Sequence, residues 1–174
     1  IYIDEMGGPG RFPPPERATF RGGRGRPMAY YRAQLDVRRP IDEVFAYLAD
    51  FSNTHEWDAG IVSATKRGDG PVTMGTQFKV VSRFFGQELP LDYQIVQYDP
   101  PSRIVLEAEN DNLRFVDTIT FEKTARGTRL TYDANLALKG IRYAGDFALH
   151  LAFQWIGRRA LDGLRTALNT RRAS

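Results

Sequence analysis

The 174-residue chain contains no cysteine. Disulfides, thiolate metal sites and a cysteine nucleophile are therefore excluded, as is any positive sign of a secreted disulfide scaffold. Only two histidines are present, His55 and His150, far apart in sequence. With no thiols to assist them, a transition-metal site is not expected, and neither is any other cofactor. No apolar run reaches the length of roughly 18 residues that a membrane-spanning helix requires, and the N-terminus lacks the apolar core of a signal peptide. These absences fit a cytoplasmic protein without a transmembrane segment. Glycine-rich phosphate loops followed by Lys-Ser/Thr are missing, and so is a Gly-x-Ser-x-Gly elbow.

The formal charge is +3, but it is unevenly spread. Arg11, Arg17, Arg21, Arg24 and Arg26 precede Met28, and Arg165, Arg171 and Arg172 crowd the other end. The stretch between is close to balance and has no basic stripe interleaved with aromatics, so no nucleic-acid partner is expected. Residues 1–27 hold six glycines and five prolines, a composition that builds neither a helix nor a central strand. Residues 1–29 are read as a Gly/Pro/Arg-rich tail, or an extension foreign to the natural chain, and residues 30–170 as one folded domain.

Tyr31, Ala33, Leu35 and Val37 alternate with polar residues, the period of a strand wet on one face. Pro40 opens a short amphipathic helix carrying Ile41, Val44, Phe45 and Leu48, with Asp42 and Glu43 in its first turn. A second brief helix is expected from Asn53 to Trp57, capped by Ser52 or Asn53. Six strands follow between turn signals: 61–66, 76–85, 89–98, 103–109, 113–123 and 128–138. Residues 141–168 lack proline and form the longest helix. Its stripe of Leu149, Phe153, Ile156, Ala160, Leu164 and Ala167 is expected to face the sheet. Asp146, His150, Gln154, Arg158 and Asp162 form the wet row. Phe147, Leu151 and Trp155 make a further apolar stripe, which needs cover from the chain itself, from a second copy in a homodimer, or from another partner.

The order of elements resembles the START-like, or SRPBCC, superfamily and within it the polyketide cyclase/dehydrase branch. Arg39-Pro40-Ile41-Asp42-Glu43-Val44-Phe45 with Phe51 and Trp57 looks like the opening helix pair of that family. Tyr98-Asp99-Pro100-Pro101-Ser102-Arg103 is similar to its mid-sheet turn, and Gly127-Thr128-Arg129-Leu130-Thr131-Tyr132 to its last strand. The resemblance covers about residues 30–169. It implies an α+β helix-grip fold, a curved antiparallel sheet of about seven strands wrapped on the long C-terminal helix around an apolar cavity.

Strand alternation points Phe78, Val80, Tyr93, Leu106, Phe115, Asp117 and Tyr132 toward the helix, where Leu149 and Phe153 complete the candidate ligand contacts. Trp57 resembles an aromatic at the cavity mouth of the family. Asp117 interrupts the apolar run of Leu113, Phe115, Ile119 and Phe121. A carboxyl group there is either a structural hydrogen-bond acceptor for Tyr93, Tyr132 or Ser82, or a general acid or base with a raised pKa. The leading functional expectation is binding of a small hydrophobic or aromatic ligand, such as a polyketide-like, isoprenoid or lipid molecule. The alternatives are a cyclase or dehydratase using Asp117, and an interaction module using the apolar first half of the last helix.

Overall fold

The structure, a computed structural model, describes residues 28–84, 86–139 and 146–170, with the side chains of Met28, Phe84 and residues 146–153 outside that description. Seven antiparallel strands form one curled sheet in the order β1-β7-β6-β5-β4-β3-β2. The strands are β1 (Met28–Val37), β2 (Ile61–Lys66), β3 (Gln77–Phe84), β4 (Gln87–Asp99), β5 (Arg103–Glu109), β6 (Leu113–Thr124) and β7 (Gly127–Leu138). From β2 to β7 each strand pairs with its sequence neighbour, as hairpin connections dictate; only β1 pairs out of order, closing on β7. Met28 and Ala29, placed with the tail on composition, belong to β1 and pair with Ala137 and Leu136.

Helices α1 (Ile41–Ala49) and α2 (Thr54–Trp57) follow β1, and α3 (Asp146–Thr170) ends the fold. The apolar stripe of α1 buries Val44, Phe45 and Leu48. Phe45 meets Tyr98 and Phe121 edge-on, with ring centroids 5.4 and 5.2 Å away. The chain then turns at Asp50, whose carboxylate accepts from the Ser52 backbone N–H at 3.2 Å and from the Ser52 hydroxyl at 2.5 Å. Asp50 thus caps the short turn Phe51–Asn53 that precedes α2, whereas Asn53, at the N-cap position of α2, makes no side-chain cap hydrogen bond. Asn53 instead donates its side-chain amide to the Tyr47 carbonyl at 2.9 Å, because the tight turn at Phe51–Asn53 aims it back at α1.

The register gives one face of the sheet a continuous set of inward residues. Phe78 lies opposite Tyr93, Tyr93 opposite Ala108, Ala108 opposite Phe115, and Phe115 opposite Leu136. The next row runs through Ile95, Leu106, Asp117, Ala134 and Tyr31. A bulge between Ile95 and Gln97 breaks strict alternation in β4. It leaves Val96 exposed and returns Tyr98 to the inner face, where it reaches Phe45.

The far end of α3 is anchored rather than free. Leu164 and Leu168 are buried, each stabilising by roughly 1.5–3 kcal/mol. Arg39 donates its Nε–H to the carbonyl of Leu168 at 2.5 Å, satisfying one of the carbonyls that a helix end leaves unpaired. The Arg39 carbonyl in turn accepts from the Thr128 hydroxyl at 2.8 Å. Replacing Arg39 with alanine is expected to cost about 1–2 kcal/mol. Hydrogen exchange should accelerate in the last turn of α3 while the β6–β7 amides keep their protection.

Candidate functional site

Between the inner face of the sheet, α2 and α3 lies a cavity of about 110 Å³. Two close approaches by glycine set its closed side. A side chain at Gly163 would meet the Trp57 carbonyl oxygen at 2.0 Å, and one at Gly157 would meet the ring of Tyr31 at 2.5 Å. Only the missing Cβ atoms let α3 lie this near α2 and β1. Ile156, Ala160, Leu161 and Leu164 complete the helix wall. Of the expected helix stripe, Ile156, Ala160 and Leu164 face the cavity, while the Leu149 and Phe153 side chains lie outside the described residues.

The sheet wall carries Val80, Tyr93, Phe115, Asp117 and Tyr132, and α2 contributes Trp57. The rings hold one another: Trp57 stands edge-on to Tyr132 at 6.1 Å, and Phe51 lies 5.0 Å from Tyr93. Phe78 and Leu106, expected among the ligand contacts, are fully buried and do not line the cavity. Phe51 stands against Phe78, with centroids 6.2 Å apart, and occupies the space in front of it. Alternation assigns a side chain to a face, but whether an inward residue is wall or packed core depends on what stands before it.

Asp117 is 5% exposed, the one charged side chain among the described residues to be buried. The hydroxyls of Tyr93 and Tyr132 stand beside it and favour its ionised form. Burial raises its pKa, the two tyrosines oppose that rise, and the nearby charge of Asp58 adds to it. Desolvation wins, and the carboxyl group is pushed up to about 7. Tyr93 and Tyr132 are pushed well above their usual range, first by burial and then by the charge of Asp117, so both remain protonated donors.

Asp58 is a site residue that sequence reasoning missed. It follows Trp57 in the turn from α2 to β2 and lines the same cavity. Burial raises its pKa, while the Gly60 N–H, donating at 2.8 Å, and the charge of Arg159 pull it back. An Asp two residues before a Gly reads as a turn former. That signal explains the hydrogen bond to Gly60, but nothing local shows that the turn delivers its carboxyl group to the cavity opposite Asp117.

Other candidates fall away from the cavity. His55 is exposed and hydrogen-bonded to the Ser52 carbonyl at 2.6 Å. Glu107 and Glu109 pair with Arg114 on the outer face. Among the described residues no group of three or more His, Cys, Asp or Glu is placed to hold a metal ion, and no helix is long and apolar enough to cross a membrane. Trp155 is 59% exposed, with the Arg159 guanidinium 4.7 Å from its ring centroid. Its companions in the expected stripe, Phe147 and Leu151, lie outside the described side chains, as does His150.

Residues 28–169 match the family described as polyketide cyclase/dehydrase and lipid transport. The chain belongs to that family. Solved structures repeat the same architecture at low identity. An uncharacterised protein from Rhizobium leguminosarum is similar with a TM-score of 0.60 and 18% identity, over 83% of this chain and 96% of that one. The di-domain ARO/CYC BexL, from the BE-7585A biosynthetic pathway, superimposes with a TM-score of 0.63 and 13% identity, over 84% of this chain and 52% of its own. Ara h 8.0201 gives 0.59 and 15%, over 81% of this chain and 97% of that one. At such identities these likenesses establish the fold, the helix grip expected from the sequence. No curated protein matches the chain.

Proposed function

We propose that the chain binds a small hydrophobic or aromatic molecule in the cavity between the sheet and α3. The observation that carries this reading is the cavity wall itself, largely aromatic and aliphatic, onto which the few polar groups of Asp117, Tyr93, Tyr132 and Asp58 converge. Such a pairing of apolar enclosure with a small cluster of orienting polar groups is what a small-molecule site requires. Membership of a family described by polyketide chemistry and lipid transport supports the same reading.

The test uses the two tryptophans of the chain. In a Trp155→Phe protein, Trp57 is the remaining tryptophan and stands in the cavity wall. Uptake of the uncharged dye N-phenyl-1-naphthylamine should raise dye emission and change Trp57 emission together. Silence of both signals would remove the binding proposal.

A second reading, a cyclase or dehydratase, is favoured by one specific observation. Asp117 is a buried carboxyl group in the cavity wall beside Tyr93 and Tyr132, and with its pKa pushed up to about 7 it is suited to move a proton near neutral pH. The ARO/CYC di-domain proteins BexL and StfQ share the fold. An Asp117→Asn protein that converts a polyketone substrate as fast as the parent would dispose of this role.

A further inference from the structure

Among the described residues, the charged groups that reach the cavity are of one sign. Asp117 and Asp58 both line it, and its described lining contains no lysine, arginine or histidine. The remaining polar groups of that lining are hydroxyls, those of Tyr93 and Tyr132 standing beside Asp117. An arriving carboxylate would be a third acid in a low-dielectric space, with no cation among the described wall residues to receive it, a costly arrangement. An arriving cation meets the opposite situation, two acceptors for its hydrogen bonds and the aromatic faces of Trp57, Phe51 and Phe115, whose quadrupoles favour positive charge.

Taking the ligand-binding reading above as its basis, we propose that the polar end of the ligand is a protonated amine on an aromatic or otherwise apolar body, held by Asp117 and Asp58. Carboxylate-headed molecules such as free fatty acids are rejected by the same pair. The empty cavity retains a proton on Asp117 until about pH 7. When the ammonium binds, that proton leaves for solvent and the carboxylate takes the N–H donors in its place. Binding therefore strengthens as pH rises through this range and weakens as it falls.

The groups facing Asp117 do not reverse this sign. Tyr93 from β4 and Tyr132 from β7 stay protonated, and Asp58 from the α2–β2 turn repels it. From α3, Arg159 acts on Asp58, while Arg158, Asp162 and Arg165 act on Tyr31 of β1.

Benzylamine, benzyl alcohol and benzoate differ at the polar end of one small aromatic body and make a direct test on the full chain, by calorimetry or NMR titration. At about pH 8, benzylamine is expected to bind at least about tenfold more tightly than benzoate and more tightly than benzyl alcohol. Its lead over the alcohol should shrink severalfold at about pH 5.5, where Asp117 is protonated. Asp58→Asn, at a half-buried position, should weaken benzylamine severalfold more than it weakens benzyl alcohol. Benzoate or benzyl alcohol binding as well as benzylamine at the higher pH overturns the amine assignment and leaves the cavity a binding site. So does a protein that takes the uncharged dye but none of the three. Failure to take either the dye or any of the three overturns both readings.

Discussion

Asp117→Asn should make the protein more stable at neutral and alkaline pH. In an unfolded chain the carboxyl group titrates near 3.8, and in the folded protein near 7. Between these values the folded state holds a proton that the unfolded state has released, so stability declines as pH rises. It is greatest below about pH 4, and the decline is complete above about pH 7. The accumulated cost at about pH 8 is of the order of 2–4 kcal/mol, since every tenfold change in proton affinity corresponds to roughly 1.4 kcal/mol. Asparagine keeps the shape and removes the charge. Thermal melts at that pH should show a gain of roughly 5–15 °C for a chain of this size. The gain should vanish near about pH 4, where the parent carries no charge at this position either. A variant less stable than the parent at alkaline pH would mean that the favourable interaction of Tyr93 and Tyr132 with the ionised carboxylate outweighs its desolvation. Stability gained together with ligand affinity lost is the expected mark of a residue kept for binding.

Gly163→Ala is expected to destabilise the protein by about 1–3 kcal/mol, although alanine is the better helix former by about 1 kcal/mol. The added Cβ would lie 2.0 Å from the Trp57 carbonyl oxygen and 3.0 Å from its carbonyl carbon. Both atoms are backbone and have no rotamer to adopt, so α3 must retreat from α2. Because α3 and Trp57 are walls of the same cavity, uptake of the uncharged dye should weaken in parallel with the loss of stability. Gly157→Ala makes the comparison, since its added Cβ would meet the ring of Tyr31, a side chain that can yield part of the way. A Gly163→Ala protein as stable as the parent and with unchanged dye uptake would show that the α2–α3 approach is not tightly set.

The strands were legible because each announces itself twice, by alternation and by the turn residues that end it. The hairpin after Asp99 and the one at Arg126-Gly127 place β5, β6 and β7 almost to the residue. Asp117 was legible for the same reason, as a polar residue standing in an apolar row of β6. What alternation does not carry is depth. Phe78 and Leu106 face inward yet are packed core, and Val80 and Phe115, on the same face, are wall. The distinction is made by tertiary neighbours: by Phe51 standing against Phe78, and by how closely α3 is drawn in at Gly157 and Gly163. Asp58 was missed because its local signal, an acid closing a turn onto Gly60, is complete without the cavity. The cap at Asp50 was missed because the turn Phe51–Asn53 that it closes is too short to leave a periodic signal before α2.

The close approach of α3 to β1 at Gly157 also bears on what happens when the cavity is overfilled. β1 is an edge strand of an unclosed sheet, and the Gln154 amide donates to its Tyr30 carbonyl at 2.5 Å. Helix α3 therefore serves both as a wall of the cavity and as a guard on one margin of the sheet. A ligand bulky enough to lever the helix outward would unmask backbone groups that can recruit a strand from another molecule. Self-association in the presence of oversized ligands would thus be the outward sign that the helix had been displaced.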